Sequence, residues 1–184
     1  ATAYMDSIPM VVISGQVPLA LIGTDGFQEI DAVGISRPCT KHNFLVRSLE
    51  DLPRLLKEAF YIARSGRPGP VLVDIPKDIT VDIGEFLYPD SVDIPTYKPT
   101  YKGNKRQIEK AVEAMKKAKK PLLYIGGGVV LSNASDLVRE LALKTQIPAV
   151  ETLMARGVLG AKNPLLLGML GMHGNYSSNM AMSE

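Results

Sequence analysis

Apolar and polar positions along the first part of this chain follow a strand, helix and strand order. Residues 9–14 and 71–75 are short apolar runs without alternation, which is typical of strands buried on both faces of a parallel sheet. Between them, apolar residues recur at helical spacing after a capping-box sequence at residues 48–51: Leu52, Leu55, Leu56, Ala59, Phe60 and Ala63. We therefore predict strand, long loop, helix and strand, with Gly15 closing the first strand and Gly66 ending the helix.

A second series of alternating helices and strands is predicted in the later part of the chain. Residues 107–119 are predicted to be helical, with one apolar face made by Ile108, Ala111, Val112 and Met115. Residues 121–125 and 147–151 are predicted strands. They enclose a helix that Asn133 would cap and that would turn Leu137, Val138 and Leu141 inward. The chain is therefore predicted to be an α/β protein built on parallel sheets.

The residues between these two series differ from them in composition and show no helix or strand pattern. Residues 81–105 hold Pro89, Pro95 and Pro99 among tyrosines and acids, with no periodicity. This composition favours a linker between domains over a long surface loop. The predicted domains are residues 1–80 and 106–184, joined by residues 81–105. Residues 1–5 are expected to end a helix and residues 175–184 to open one, so we expect the chain to be a piece of a longer protein.

Composition narrows the class of protein. A formal net charge of +2 over 184 residues gives no electrostatic case for nucleic acid or an anionic membrane. No apolar run is long enough for a membrane span, and no signal peptide is visible at the start. A single cysteine, Cys39, excludes an internal disulfide and is compatible with a reducing compartment. We therefore expect a soluble, intracellular protein of the cytoplasm.

Glycines after predicted strands are the first candidates for ligand binding. Residues 126–128 are three glycines that follow a strand, where backbone N–H groups can hold a phosphate. The full dinucleotide fingerprint is absent because Leu131 stands at its third glycine position, so a plain tight turn remains an alternative. Residues 168–174 hold three glycines with Met172 and His173, which suits either a flat ligand or a glycine-rich loop over a core.

Other candidate positions are less specific. Cys39 and His42 are three apart, but one cysteine and two histidines in the whole chain disfavour a four-ligand zinc site. Residues 23–29 combine an aromatic with an amide and could contact a cofactor or cap the next segment. Lys77 and Asp78 follow the strand at residues 71–75, where parallel sheets gather their ligands, although an ordinary connection has the same form. The residues alone therefore indicate a two-domain α/β protein that binds a nucleotide-like ligand.

Eight segments, in order and with matching spacing, give the chain a resemblance to a known family. They are residues 6–9 (DSIP), 14–18 (SGQVP), 22–29 (IGTDGFQE), 40–43 (TKHN), 66–78 (GRPGPVLVDIPKD), 124–128 (YIGGG), 152–154 (TLM) and 168–174 (GMLGMHG). Together they resemble the catalytic subunits of the acetohydroxyacid synthase (acetolactate synthase) family, which are thiamine-diphosphate enzymes. The resemblance covers essentially the whole chain.

The resemblance implies a fold and an activity. It places residues 1–80 at the end of a pyrimidine-binding domain and residues 106–184 in the first half of a Rossmann-like, FAD-binding central domain, both three-layer domains on parallel sheets. The implied parent decarboxylates pyruvate on thiamine diphosphate and joins the product to pyruvate or 2-ketobutyrate, in branched-chain amino-acid biosynthesis. A second catalytic subunit and a small regulatory subunit are the implied partners. The activating glutamate and the Mg²⁺ ligands would lie outside this chain, so the isolated chain is expected to be inactive.

The resemblance also assigns roles to particular residues. Phe27 and Gln28 match positions at the thiamine and substrate pocket, and Lys77 is grouped with them as catalytic. Pro18 matches an inhibitor-contact position, and Lys41 with Lys77 matches the substrate channel. The positions that match FAD contacts are Ser7, Arg67, Gly127, Thr152, Leu153, Leu170, Gly171, Met172 and His173.

Two alternatives to this function come from the same residues. Glyoxylate carboligase shares much of the first half, but that family typically has an aromatic where His42 stands and an apolar residue at Lys77. Its counterpart of residues 168–174 also lacks the Met-His pair. The other alternative is a flavin- or nucleotide-binding fragment with no catalysis of its own.

Overall fold

The computed structural model describes all 184 residues and divides them into two compact units, Ala1–Lys102 and Gly103–Glu184. We call these the first and the second unit. Each contains a parallel three-stranded sheet, which confirms the predicted α/β class. No helix is both long and apolar enough to cross a bilayer.

The sheet of the first unit is built around its last strand. Its strands are β1 (Met10–Gln16), β2 (His42–Leu45) and β3 (Pro70–Pro76), and β3 lies between the other two. The helices are α1 (Thr2–Met5), α2 (Ala32–Ser36), α3 (Leu52–Arg64) and α4 (Lys77–Val81). Val71 and Val73 of β3 are fully buried and pack with α3, which confirms the predicted helix and buried strand.

Two expectations for the first unit are wrong. Strand β1 is not buried on both faces, because it is an edge strand and leaves Ile13 61% exposed; it also continues past Gly15 to Gln16. The predicted long loop contains α2 and β2. The sequence of β2 is too short, and too polar at His42 and Asn43, to give a strand pattern.

Residues 82–104 carry no helix or strand. Part of this segment lies on the first unit: Ile94 and Tyr97 pack against its core, and the Tyr97 hydroxyl donates to the Ser65 carbonyl at 3.0 Å. Lys57 donates to the Pro89 carbonyl. The assignment of residues 81–105 as a linker between domains stays a prediction, but the segment does not extend freely into solvent.

The second unit places β5 at the centre of its sheet. The strands are β4 (Leu123–Ile125), β5 (Ala149–Glu151) and β6 (Leu166–Met169), in the order β4-β5-β6. The helices are α5 (Lys105–Lys117), α6 (Gly128–Leu131), α7 (Ser135–Thr145) and α8 (Tyr176–Ser183). Asn175 caps α8 by accepting from the Ser178 N–H at 2.8 Å, which confirms a helix opening there.

Details of the second unit differ from the pattern-based expectations. Asn133 does not cap α7; it takes a left-handed φ of 55° in the turn before the helix, and Ala134 is the residue at the N-cap. Leu137 is 68% exposed rather than inward, and Ile108 on α5 is 55% exposed. Strand β6 was not expected, because glycines interrupt its apolar pattern.

Candidate functional site

A pocket of about 560 Å³ opens at the carboxyl ends of β1 and β3 in the first unit. In parallel sheets this edge is where ligands bind, because the strands end there and loops surround the opening. The pocket is lined by Gly15, Gln16, Val17, Pro18, Leu21, Phe27, Gln28, Ile75, Lys77 and Thr80. The structure therefore brings four predicted site residues together: Pro18, Phe27, Gln28 and Lys77.

Three local features carry these four side chains, because Phe27 and Gln28 share one turn. Pro18 precedes a short 3₁₀ turn at Leu19–Leu21, and Lys77 is the first residue of α4, directly after β3. Phe27 is 89% exposed, which is unusual for an isolated phenyl ring and leaves it free to cover a ligand. Gln28 has a left-handed φ of 64°, a conformation that non-glycine residues rarely adopt.

The segment that carries Phe27 and Gln28 is held together by a carboxylate. Glu29 accepts hydrogen bonds from the backbone N–H groups of Gly23 and Gly26, the latter at 3.0 Å. These bonds, with that of Gly23 first, lower the pKa of Glu29. The Glu29 N–H in turn donates to the Gly26 carbonyl at 2.9 Å. The result is a closed turn that presents two side chains at the pocket.

This turn is expected to loosen in acid. A carboxyl whose pKa is lowered by folding contributes stability above its unfolded pKa, near 4.5, and loses it as the pH falls through the folded pKa. The amide resonances of Gly23 and Gly26 should therefore move together as the pH falls below about 4.5 in an NMR titration. In Glu29→Gln the same resonances should show no such step. Unchanged resonances in the wild-type chain would contradict this account.

Lys41 lies away from the pocket. Its Nζ donates to the carbonyls of Ile62 and Ser65 at the end of α3, and sits 5.2 Å from the ring centroid of Tyr97. A cation at this position satisfies carbonyls that the helix leaves unpaired and interacts favourably with the helix dipole. The structure thus gives Lys41 a structural environment, and its role in a substrate channel stays a prediction.

Ser7 and Arg67, both predicted FAD contacts, meet in the first unit. Arg67 Nε donates to Ser7 Oγ at 2.8 Å, and Arg67 Nη2 donates to the Met5 carbonyl at 3.2 Å. Ser7 has a left-handed φ of 59°. These bonds leave other guanidinium N–H groups of Arg67 for an anionic ligand.

The remaining predicted FAD contacts lie at the carboxyl ends of the strands of the second unit. Gly127 follows β4, Thr152 and Leu153 follow β5, and residues 170–173 follow β6. The Thr152 N–H donates to the Ile125 carbonyl at 2.9 Å, which draws the first two loops together. A Cβ at Gly127 would fall 2.9 Å from the Cβ of Met154, so glycine is needed for this approach.

The loop after β6 is organised by an asparagine. Asn179 of α8 accepts from the Gly171 N–H at 2.8 Å and donates to the Gly171 carbonyl at 3.1 Å. Gly171 has a φ of 96°, which only glycine adopts without strain. Met172 is 91% exposed, and His173 is also exposed. The turn therefore presents both side chains to solvent at the edge of the sheet.

The chemistry available in these places is binding and orientation. The pocket offers one cation, two amides, one hydroxyl and one aromatic ring, and its lining includes no carboxylate or imidazole that could act as an acid or base. No group of three His, Cys, Asp or Glu side chains is arranged to hold a metal ion. The two sets of predicted FAD contacts belong to different units.

Several residues that shape these sites were missed by the pattern analysis. Asp74 is buried in β3, and Gln16 Nε2 donates to it from β1 at 3.0 Å. Glu151 is fully buried at the end of β5. The available signal was an acidic residue near the end of two apolar strands, β3 and β5, because a buried carboxylate requires hydrogen-bond donors nearby.

Comparison with known proteins identifies relatives along the whole chain. Residues 108–184 match the family model "Thiamine pyrophosphate enzyme, central domain". The chain is 52% identical to the acetolactate synthase large subunit of Buchnera aphidicola subsp. Schlechtendalia chinensis over 98% of its own length and 32% of that protein. It is 50% identical to the acetolactate synthase isozyme 3 large subunit of Escherichia coli K12, over 99% of the chain and 32% of that protein.

A third relative agrees with these two. The acetolactate synthase of Mycobacterium leprae is 53% identical over 100% of the chain and 29% of its own length. The chain therefore spans about a third of the length of the curated relatives that it matches. Identity at this level, maintained across both units, confirms the resemblance given by the eight segments. Residues 108–184 therefore match the central domain of thiamine pyrophosphate enzymes, and the chain as a whole is similar to a segment that makes up about one third of the length of acetolactate synthase large subunits.

Proposed function

We propose that this chain is a segment of an acetolactate synthase catalytic subunit. The parent enzyme decarboxylates pyruvate and joins the resulting two-carbon unit to a second 2-keto acid, either pyruvate or 2-ketobutyrate, for branched-chain amino-acid biosynthesis. The observation that carries the proposal is the pocket, which gathers Pro18, Phe27, Gln28 and Lys77 from three separate stretches of sequence. The named relatives support acetolactate synthase over glyoxylate carboligase.

Three of the pocket residues have roles that follow from their chemistry. The Lys77 ammonium attracts the carboxylate of a 2-keto acid and steers it to the opening. The Gln28 amide can donate to an oxygen or accept from an N–H group at the reacting centre. The exposed ring of Phe27 covers the bound substrate and excludes water. When bound, thiamine diphosphate supplies the electron sink for decarboxylation, and this chain orients the reactants.

The cofactor proposal extends to the second unit. The loops at the carboxyl ends of β4, β5 and β6 fit a flat ligand with phosphates, because glycine at position 127 allows backbone to approach closely and Gly171 opens the last loop. We assign FAD to the residues that match its contacts, including Arg67 and Ser7 in the first unit. The ligands of Mg²⁺ are proposed to lie outside this chain, as the family resemblance implies.

The partners of the parent enzyme are proposed from its relatives. Several are called large subunits, a name that implies a small subunit in those proteins, and we propose a regulatory subunit here too. A second catalytic subunit would complete the pocket at the exposed side of Phe27 and Gln28, as a homodimer or higher oligomer. The compartment proposed is the cytoplasm.

Turnover should require more than this segment. We expect the 184-residue chain, supplied with pyruvate, thiamine diphosphate, Mg²⁺ and FAD, to form no acetolactate in a colorimetric acetoin assay. The protein at the full length of its relatives should form it under the same conditions. Failure of the full-length protein would remove the proposed activity, and turnover by the short chain would show that the missing two thirds are not required.

A flavin-binding segment without catalysis is the second candidate, and the glycine-lined loops of the second unit favour it. Titrating FAD against the 184-residue chain and following flavin fluorescence, beside the acetolactate assay of the full-length protein, distinguishes this candidate from the acetolactate synthase segment. Flavin binding by the chain, together with a full-length protein that forms no acetolactate, would support this second candidate.

A further inference from the structure

Asp74 is a carboxylate inside the sheet of the first unit that no cation contacts. It lies on the central strand β3 and is 1% exposed. Its partners are neutral side chains of the neighbouring strand β1: Ser14 Oγ donates to Oδ1 at 2.6 Å, and Gln16 Nε2 donates to Oδ2 at 3.0 Å. A buried carboxylate is expensive without donors, so this arrangement requires both bonds.

Gln16 uses its remaining hydrogen-bonding groups to reach beyond the sheet. Its Nε2 also donates to the Ile30 carbonyl at 2.7 Å, and its Oε1 accepts from the Val17 N–H at 2.9 Å. Ile30 lies two residues after Gln28, in the segment that carries both pocket side chains. A single amide thus joins the central strand, the edge strand and residues 23–31, which we call the pocket segment.

No other hydrogen bond joins the pocket segment to the strands of the sheet. Its remaining bonds are made within itself through Glu29, to the Leu21 carbonyl, and to the start of α2. There the Ala32 N–H donates to the Ile30 carbonyl, and Asp31 accepts from the N–H groups of Gly34 and Ile35. The orientation of the Gln16 amide is also determined. Because a carboxylate only accepts, the Nε2 group must face Asp74, and its second hydrogen is then directed at the Ile30 carbonyl.

We propose that Gln16 is a positioning residue, held in one orientation by the buried carboxylate of Asp74, that places Phe27 and Gln28 at the pocket. Gln16 itself lines the pocket, whereas Asp74 does not. Asp74 therefore acts only through Gln16. The effect on turnover rests on the proposed function, but the effect on the pocket segment does not.

The matched pair Gln16→Ala and Ser14→Ala tests the proposal. Each removes one neutral donor from the same carboxylate, but only Gln16 reaches the pocket segment. The probes are the amides of Glu29, in the pocket segment, and of Ala32, directly after it, which donates to the Ile30 carbonyl. In hydrogen–deuterium exchange of the full chain, Gln16→Ala should speed exchange at both amides by roughly five- to tenfold, which is the effect expected from the free energy of one lost hydrogen bond. Ser14→Ala should leave these amides within about twofold of the wild type. Equal acceleration in both variants, or in neither, would overturn the proposal.

Two changes at Asp74 separate hydrogen bonding from charge. In Asp74→Asn the amide oxygen can still accept from Gln16, because the Ser14 hydroxyl can turn from donor to acceptor. This variant should keep the slow exchange of the pocket segment, and Asp74→Leu should lose it. If the Asn variant exchanges as fast as the Leu variant, the hydrogen-bond account is wrong. Should Asp74→Leu fail to fold, the pair at positions 16 and 14 still decides.

Kinetics of the full-length protein connect the segment to catalysis. Gln16→Ala should lower kcat by roughly tenfold with a smaller change in KM, since a misplaced Gln28 affects the reacting geometry more than ground-state binding. Ser14→Ala should keep both constants near the wild type. Faster exchange with an unchanged kcat would overturn the link to catalysis. A wild-type protein without turnover would instead refute the proposed function and leave the exchange result standing.

Discussion

Replacing Glu151 by alanine is expected to lower the free energy of unfolding of the second unit by about 3–5 kcal/mol. Glu151 is fully buried at the end of the central strand β5. Its carboxylate accepts from the N–H groups of Leu159 at 2.9 Å and Gly157 at 3.1 Å, and Arg156 Nη1 lies 3.8 Å away. Alanine would leave two donors without a partner and a cavity beside them.

Chemical denaturation followed by circular dichroism measures this effect. Glu151→Gln is the informative companion, because it keeps the volume and one acceptor and should cost about 1–2 kcal/mol. Glu140→Ala, on the exposed surface of α7, is the control and should be indistinguishable from the wild type. A Glu151→Ala variant that unfolds like the control would show that the loop after β5 does not depend on this carboxylate.

Replacing Gly174 by alanine is expected to cost about 2–4 kcal/mol and to distort the turn after β6. A Cβ there would fall 2.5 Å from the carbonyl carbon of Leu170 and closer still to the Met169 carbonyl oxygen. That oxygen accepts from the Asn175 N–H at 2.9 Å, and Asn175 caps α8. The clash is with backbone, so no side-chain rotation relieves it.

Gly128→Ala is the matched control for Gly174→Ala. Gly128 opens α6, has an ordinary φ, and a Cβ there would meet nothing within 4 Å. Alanine at this position should be neutral or stabilise the chain by less than about 1 kcal/mol. Comparable losses of stability in the two variants would contradict the steric account. If the turn holds FAD as proposed, Gly174→Ala should also weaken flavin binding.

Sequence patterns predict the first unit well where burial is complete. Strand β3 is found to within one residue at each end, because its apolar run has no polar interruption until Asp74. Helix α3 is equally clear, since its apolar residues recur at helical spacing and most of them pack in the core, although Phe60 is 58% exposed. Edge strand β1 has the same composition as a buried strand, so the pattern cannot reveal that one of its sides is exposed.

The candidate site is harder to derive from the sequence. Family resemblance names Phe27 and Gln28, but the left-handed φ of Gln28 depends on bonds that Glu29 makes across a closed turn. Pairing of Asp74 with Ser14 and Gln16 depends on the register of β1 against β3, which a single sequence does not determine. In the structure Lys77 lines the pocket and Lys41 does not, although the resemblance implies the same channel for both.

The contacts of residues 89–101 bear on where the first unit can be cut for expression. A recombinant chain ending at residue 80 would lose Tyr97 and Ile94 from the core and uncover the end of α3, where Ser65 bonds the Tyr97 hydroxyl. Apolar surface uncovered in this way favours aggregation. A chain ending at Lys102 keeps Tyr97, and also Tyr101, whose hydroxyl accepts from the Gly66 N–H at 3.3 Å. A soluble form of the first unit should therefore extend some twenty residues beyond α4, its last helix.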